Sequence, residues 1–88
     1  MIQEQIDLQI CDARYYAANV KVEAKLYARC EGIGLRYVIM LIQEQERAEC
    51  DLGSDADAAR QLFLRVVYGG VTVCTLYDIV EDYRGTLF

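Results

Sequence analysis

Apolar residues recur at every second position in three stretches before residue 53, and at helical spacing after residue 54. The two periods belong to different elements, so the switch between them constrains this chain more than any other feature. In VKVEAKLYA (residues 20–28), Val20, Val22, Ala24 and Leu26 face one way, and Lys21, Glu23 and Lys25 face the other. Ile2, Ile6, Leu8 and Ile10, interleaved with Gln5, Asp7 and Gln9, read as a half-buried strand. RAECDL (residues 47–52) alternates again, with Ala48, Cys50 and Leu52 inward. LRYVIMLI (residues 35–42) is apolar throughout. Its short length, flanking Gly34 and β-branched content make it a central strand. Glu31–Gly34 reads as a turn, because its glycines tolerate positive φ. Gln43–Glu46 is a polar connection. CDARYYAAN (residues 11–19) fits either a helical turn capped by Asp12 and ended by Asn19, or a loop.

The helical half begins at Ser54, with Asp57 three residues on in a capping-box spacing and Asp55 in the first turn. Ala58, Ala59, Leu62, Phe63 and Val66 share one face, and Gly69-Gly70 ends the helix. Thr75 caps a second helix, with Asp78 again three residues on. Leu76, Ile79, Val80 and Tyr83 form its stripe, and Gly85 stops it. Strands followed by helices, with short connections, specify an α+β fold. The expected form is an antiparallel meander of about four strands, with two helices packed on one face.

Eighty-eight residues make a single small domain, 1–88. A chain this short buries only about 60–65% of its unfolded surface, which leaves no room for a large enclosed pocket beside a full core. The four cysteines are far apart and there is no His, so neither a zinc site nor a disulfide framework is indicated. Four small buried hydrophobes is the expectation. No cofactor is implied. The net charge of −5 is concentrated in QEQERAECDLGSDAD (residues 43–57), which holds six acids and one base. With no basic stripe, nucleic acid and anionic membrane surfaces are excluded as expected partners. The N-terminal residues lack the basic start and apolar run of a signal peptide, which reads as a cytoplasmic protein.

Tyr37 and the closing pattern Val71-Thr72-Val73 … Leu76-Tyr77-Asp78-Ile79-Val80-Glu81-Asp82-Tyr83 carry a resemblance. Over roughly residues 35–84 the chain resembles a family of very short bacterial proteins of unknown function, found mostly in Firmicutes. Members often carry Pro after the Thr, where this chain has Val73. The resemblance implies a small intracellular domain and assigns no catalytic residue.

Two kinds of surface remain to be explained. The first is acidic. Asp78, Glu81 and Asp82 fall within about 100° of the helix circumference, opposite the apolar stripe. The last two sit toward the C-terminal end, where the helix dipole disfavours anions. Arg84 or a basic partner would answer them, and a cation site would need more converging oxygens than one helix face supplies. The second is apolar. Val38, Met40 and Ile42 project from the sheet face opposite the helices. There they are either shielded by the stems of neighbouring charged residues or buried in an interface. Leu64 and Tyr68 are four apart on the polar side of the first helix. Without His, a Cys–His pair or a phosphate loop, no catalytic constellation is present. The expected function is a non-enzymatic interaction or regulatory module, homodimeric through Val38, Met40 and Ile42 or through Leu64 and Tyr68. The alternative is a ligand- or cation-binding regulatory domain centred on Asp78, Glu81 and Asp82.

Overall fold

The computed structural model describes residues 5–32 and 34–87, with side-chain surroundings for residues 6–30, 32 and 34–83. Ile2, Ile33 and the Arg84 side chain lie outside the described residues. Four strands, β1 (Gln5–Ala17), β2 (Val20–Glu31), β3 (Gly34–Gln43) and β4 (Glu46–Gly53), precede the helices α1 (Ala56–Gly69) and α2 (Leu76–Leu87). A 3₁₀ turn, Val73–Thr75, sits between the helices. The sheet order is β1-β2-β3-β4, with every neighbouring pair antiparallel. The chain is therefore an antiparallel meander with both helices on one face, as the change of period requires.

Val22, Ala24 and Leu26 of β2, Ile39 and Leu41 of β3, and Ala48 and Cys50 of β4 form the sheet half of the core. Ala59, Leu62, Phe63 and Val66 of α1 and Leu76 and Val80 of α2 close over them. Tyr37, Leu52, Ile79 and Tyr83 pack around the margin. Polar links tie the layers. The Tyr15 hydroxyl donates to the Val71 carbonyl at 2.6 Å, the Val73 amide donates to Gln43 Oε1 at 3.2 Å, and the Tyr77 hydroxyl donates to the Glu49 carbonyl at 3.2 Å.

Several local expectations are corrected. Residues 11–17, CDARYYA, form neither a helical turn nor a loop, but continue β1 without a break. The turn lies later, at Ala18 and Asn19, with φ of 51° and 68°. Positive φ at both centres marks a type I′ hairpin turn, whose twist matches that of the strands it joins. The usual Asn-Gly signature is missing, so the sequence hides it. Asp55, not Ser54, caps α1; its side chain accepts from the Ala58 amide at 3.1 Å. Gly70 at φ 61° provides the left-handed cap at the other end. Thr75 turns its hydroxyl back to Thr72, accepting from the Thr72 amide at 3.2 Å, and so closes the 3₁₀ turn ahead of α2. Gly85 does not stop α2, which runs on to Leu87. Glycine lowers helix stability without forbidding a helical backbone. Of the cysteines only Cys50 is buried; Cys11 is half-buried, and Cys30 and Cys74 are exposed, none of them in a disulfide.

Candidate functional site: the uncovered half of an edge strand

The sequence-derived interface residues on the sheet lie on the face away from the helices. Val38 is already buried there, at 2% exposure, while Met40 and Ile42 are half-buried. The register explains why. Arg29 of β2 stands opposite Arg36, and Glu49 of β4 stands opposite Met40. Their guanidinium–carboxylate contact of 3.2 Å therefore spans β3 at the level of Val38. The same guanidinium grips Asp7 of β1 in two hydrogen bonds of 2.8 and 3.0 Å. These hydrogen bonds, Asp7 first and then Glu49, outweigh desolvation and hold Arg29 above its ordinary range. Arg36 pairs with Asp51 at 2.6 Å, and Arg14 with Glu23 at 3.2 Å. The outer face is thus tiled by charged groups whose stems cover the apolar row. Val38 has no surface left to give a partner.

A shallow depression of about 610 Å³ opens on that face beside the β1–β2 hairpin, among Arg14, Tyr16, Lys21, Glu23, Ile42 and Glu44. Its cations and acids alternate and no single ligand charge is favoured. Leu64 and Tyr68 are exposed on α1. Asp78, Glu81 and Asp82 are exposed on α2. Asp78 lies in the first turn, where the dipole favours it, and Asp82 is not without a partner. Among the described residues no three acidic or thiol groups converge as metal ligands. No described helix is long and apolar enough to cross a membrane.

The surface that sequence reasoning missed is on the helix-bearing face. β1 pairs only with β2 among the described residues, which leaves its outer edge open. Ile6 and Leu8, paired with Cys30 and Ala28 on the helix side, are 58% and 67% exposed, and Ile10 beside them is 39% exposed. Cys11, Ala13 and Tyr15 continue that face, yet they pack against the core. The cause is length. Thirteen strand residues span about 43 Å at ~3.3 Å each, close to the 45 Å long axis of the molecule. The fourteen residues of α1 span only about 21 Å. The helical layer reaches the half of β1 held by Tyr15 and stops short of the other half. Leu35, 44% exposed, lies on the same uncovered end of the face. The signal in the sequence was the alternation at residues 6–10, which reports a two-sided strand but not what covers each side.

No family model, curated protein or solved structure matches the chain.

Proposed function

We propose that the chain is a non-enzymatic interaction module that takes an extended strand along the open edge of β1. The exposure of Ile6, Leu8 and Ile10 on that strand carries the reading. A long edge strand offers a row of unpaired backbone groups, and natural proteins normally blunt such an edge with charge, Pro or a covering element. Here three large apolar side chains flank it. Strand addition would use the backbone row for affinity and the apolar row for selection of the incoming side chains.

Amide hydrogen exchange across residues 5–17 tests the proposal. It is measured at rising protein concentration, and again with a short synthetic peptide of alternating apolar and polar residues. Protection of β1 under either condition, removed by Leu8→Lys, is the expected result. Exchange that ignores both conditions overturns the reading.

A further inference from the structure

We infer that the strand taken by β1 is the β1 of a second copy, antiparallel about a twofold axis that passes between Ile10 and Cys11. The inference rests on the reading of β1 as an interaction edge. Its own support is the bulge. Gln9 pairs with Tyr27 and Cys11 with Leu26, so Ile10 is an extra residue in β1. Before it, Ile6 and Leu8 face the helices while Asp7 and Gln9 face away. After it, Cys11, Ala13 and Tyr15 face the helices, while Asp12, Arg14 and Tyr16 face away. With Ile10 placed on the helix side beside Cys11, the order of faces reads the same in both directions from the point between them.

Antiparallel self-pairing about an axis normal to the sheet must place like faces opposite each other. With Ile10 set against Cys11 of the second copy, every pair from residue 6 to residue 15 obeys this. Gln9 meets Asp12, Leu8 meets Ala13, Asp7 meets Arg14 and Ile6 meets Tyr15, each twice. Moving the axis one position toward the N-terminus opposes Gln9 and Ile10 and sets Asp7 against Asp12, like charges on one face. One position the other way opposes Cys11 and Asp12, on unlike faces. An axis at Leu8 also matches faces, but only over residues 6–10. The register that uses the whole strand is also the one that sets Asp7 against the exposed Arg14. Unlike charges directly across a ladder stabilise it, and like charges do the reverse.

The two halves of β1 are complementary in a second way. An axis normal to the sheet keeps both helical layers on one face. The uncovered Ile6 and Leu8 of each copy then border the covered Ala13 and Tyr15 of the other. About a dozen residues a side fall short of the ~20–30 of a standard interface, so the dimer is weak and concentration-dependent.

Sedimentation of the full chain from 10 to 500 μM, taken as roughly the range in which a weak dimer titrates, tests the assembly. A rise from 10.0 kDa to twice that mass is expected. Arg14→Glu, with an unchanged melt confirming its fold, is expected to weaken the dimer about tenfold by setting like charges opposite. The register is tested with Gln9→Cys/Asp12→Cys under mild oxidation, against the unmodified chain. Mass mapping should find position 9 of one copy joined to position 12 of the other, and Gln9→Cys alone should give no link between its own positions. A dimer that links elsewhere, or not at all, overturns this register. A chain that stays monomeric while a foreign strand peptide protects its β1 amides overturns self-pairing and leaves the interaction edge standing. Absence of both overturns the two proposals together.

Discussion

Along one face of β1, Ile6 and Leu8 lie bare while Ala13 and Tyr15, a few residues on, pack against the core. Backbone conformation, sheet partner and side-chain alternation are the same for both halves. The difference is that β1 spans about 43 Å at ~3.3 Å per residue, while α1 spans only about 21 Å. Alternation tells a strand which side chains share a face. Burial depends on a second layer, and the layer ends where the helices end. Leu26 pairs with Cys11 at the boundary between the halves and is 1% exposed. Leu26→Ala should therefore cost about 2–5 kcal/mol in urea unfolding, by lost transfer energy and a cavity. A much smaller cost would mean that the covered half is not tightly packed.

The outer face sharpens the comparison from the other side. There no helix covers Val38, yet it is as buried as the core, beneath the Arg29–Glu49 bridge. Charged side chains do for that face what the helices do for half of the other. Arg29→Met keeps much of the apolar stem and removes the charge, leaving Asp7 and Glu49 without their shared cation. A loss of about 1–2 kcal/mol is expected, below a fully buried charge pair because the carboxylates are partly solvated. Arg29→Met at full stability would show that coverage of Val38, not charge, is what the residue supplies.

Tyr15 anchors the covered half through Val71, and burial pushes its phenol up to about 12 from 10.0. The native state thus holds the proton more tightly than the unfolded chain. The stability this contributes is complete below pH 10 and is lost as pH rises toward 12. Tyr15→Phe should cost about 0.5–1.5 kcal/mol near neutrality through the lost hydrogen bond. The difference between wild type and Tyr15→Phe should shrink between pH 10 and 12 in pH-jump melts. A constant difference across that window would remove Tyr15 as an alkaline-labile anchor.

The fold was legible in the sequence because its signals are local. Period two in VKVEAKLYA, the apolar LRYVIMLI and the stripes of both helices each report their own element. The miss at residues 11–17 has a local cause too: Ala18-Asn19 makes its turn without glycine, and the bulge at Ile10 shifts the alternation by one. Once that shift is allowed for, Cys11, Ala13 and Tyr15 fall on one face. The candidate site was much less legible. For Val38 the sequence left shielding by neighbouring stems and burial in an interface both open, because which residues of β2 and β4 reach across it depends on a register that no short window reveals. Ile6 and Leu8 looked covered because the helices' short reach is a property of the assembled layers. Ala18→Gly probes the hidden turn. Relief at φ 51° exceeds the added freedom of the unfolded chain, so stability should rise by about 0.5 kcal/mol.

The smallest expected effect bears most directly on the two halves of β1. Leu8 is 67% exposed, so Leu8→Lys removes little buried area and should leave the melt within about 0.5 kcal/mol of wild type. Ala13→Lys makes the opposite case. The same substituent, on the same face five residues along, would force a charge against the core and unfold the chain at much lower urea. Equal costs at the two positions would mean that the helices cover β1 along its whole length, and the proposed edge would then have no free apolar row. Unequal costs, with Leu8→Lys also removing concentration-dependent protection of β1, would tie the bare half to association rather than to folding. A lysine is the right probe because alanine would leave the edge both open and apolar, whereas a charge on an edge strand is the device proteins use to keep such edges apart.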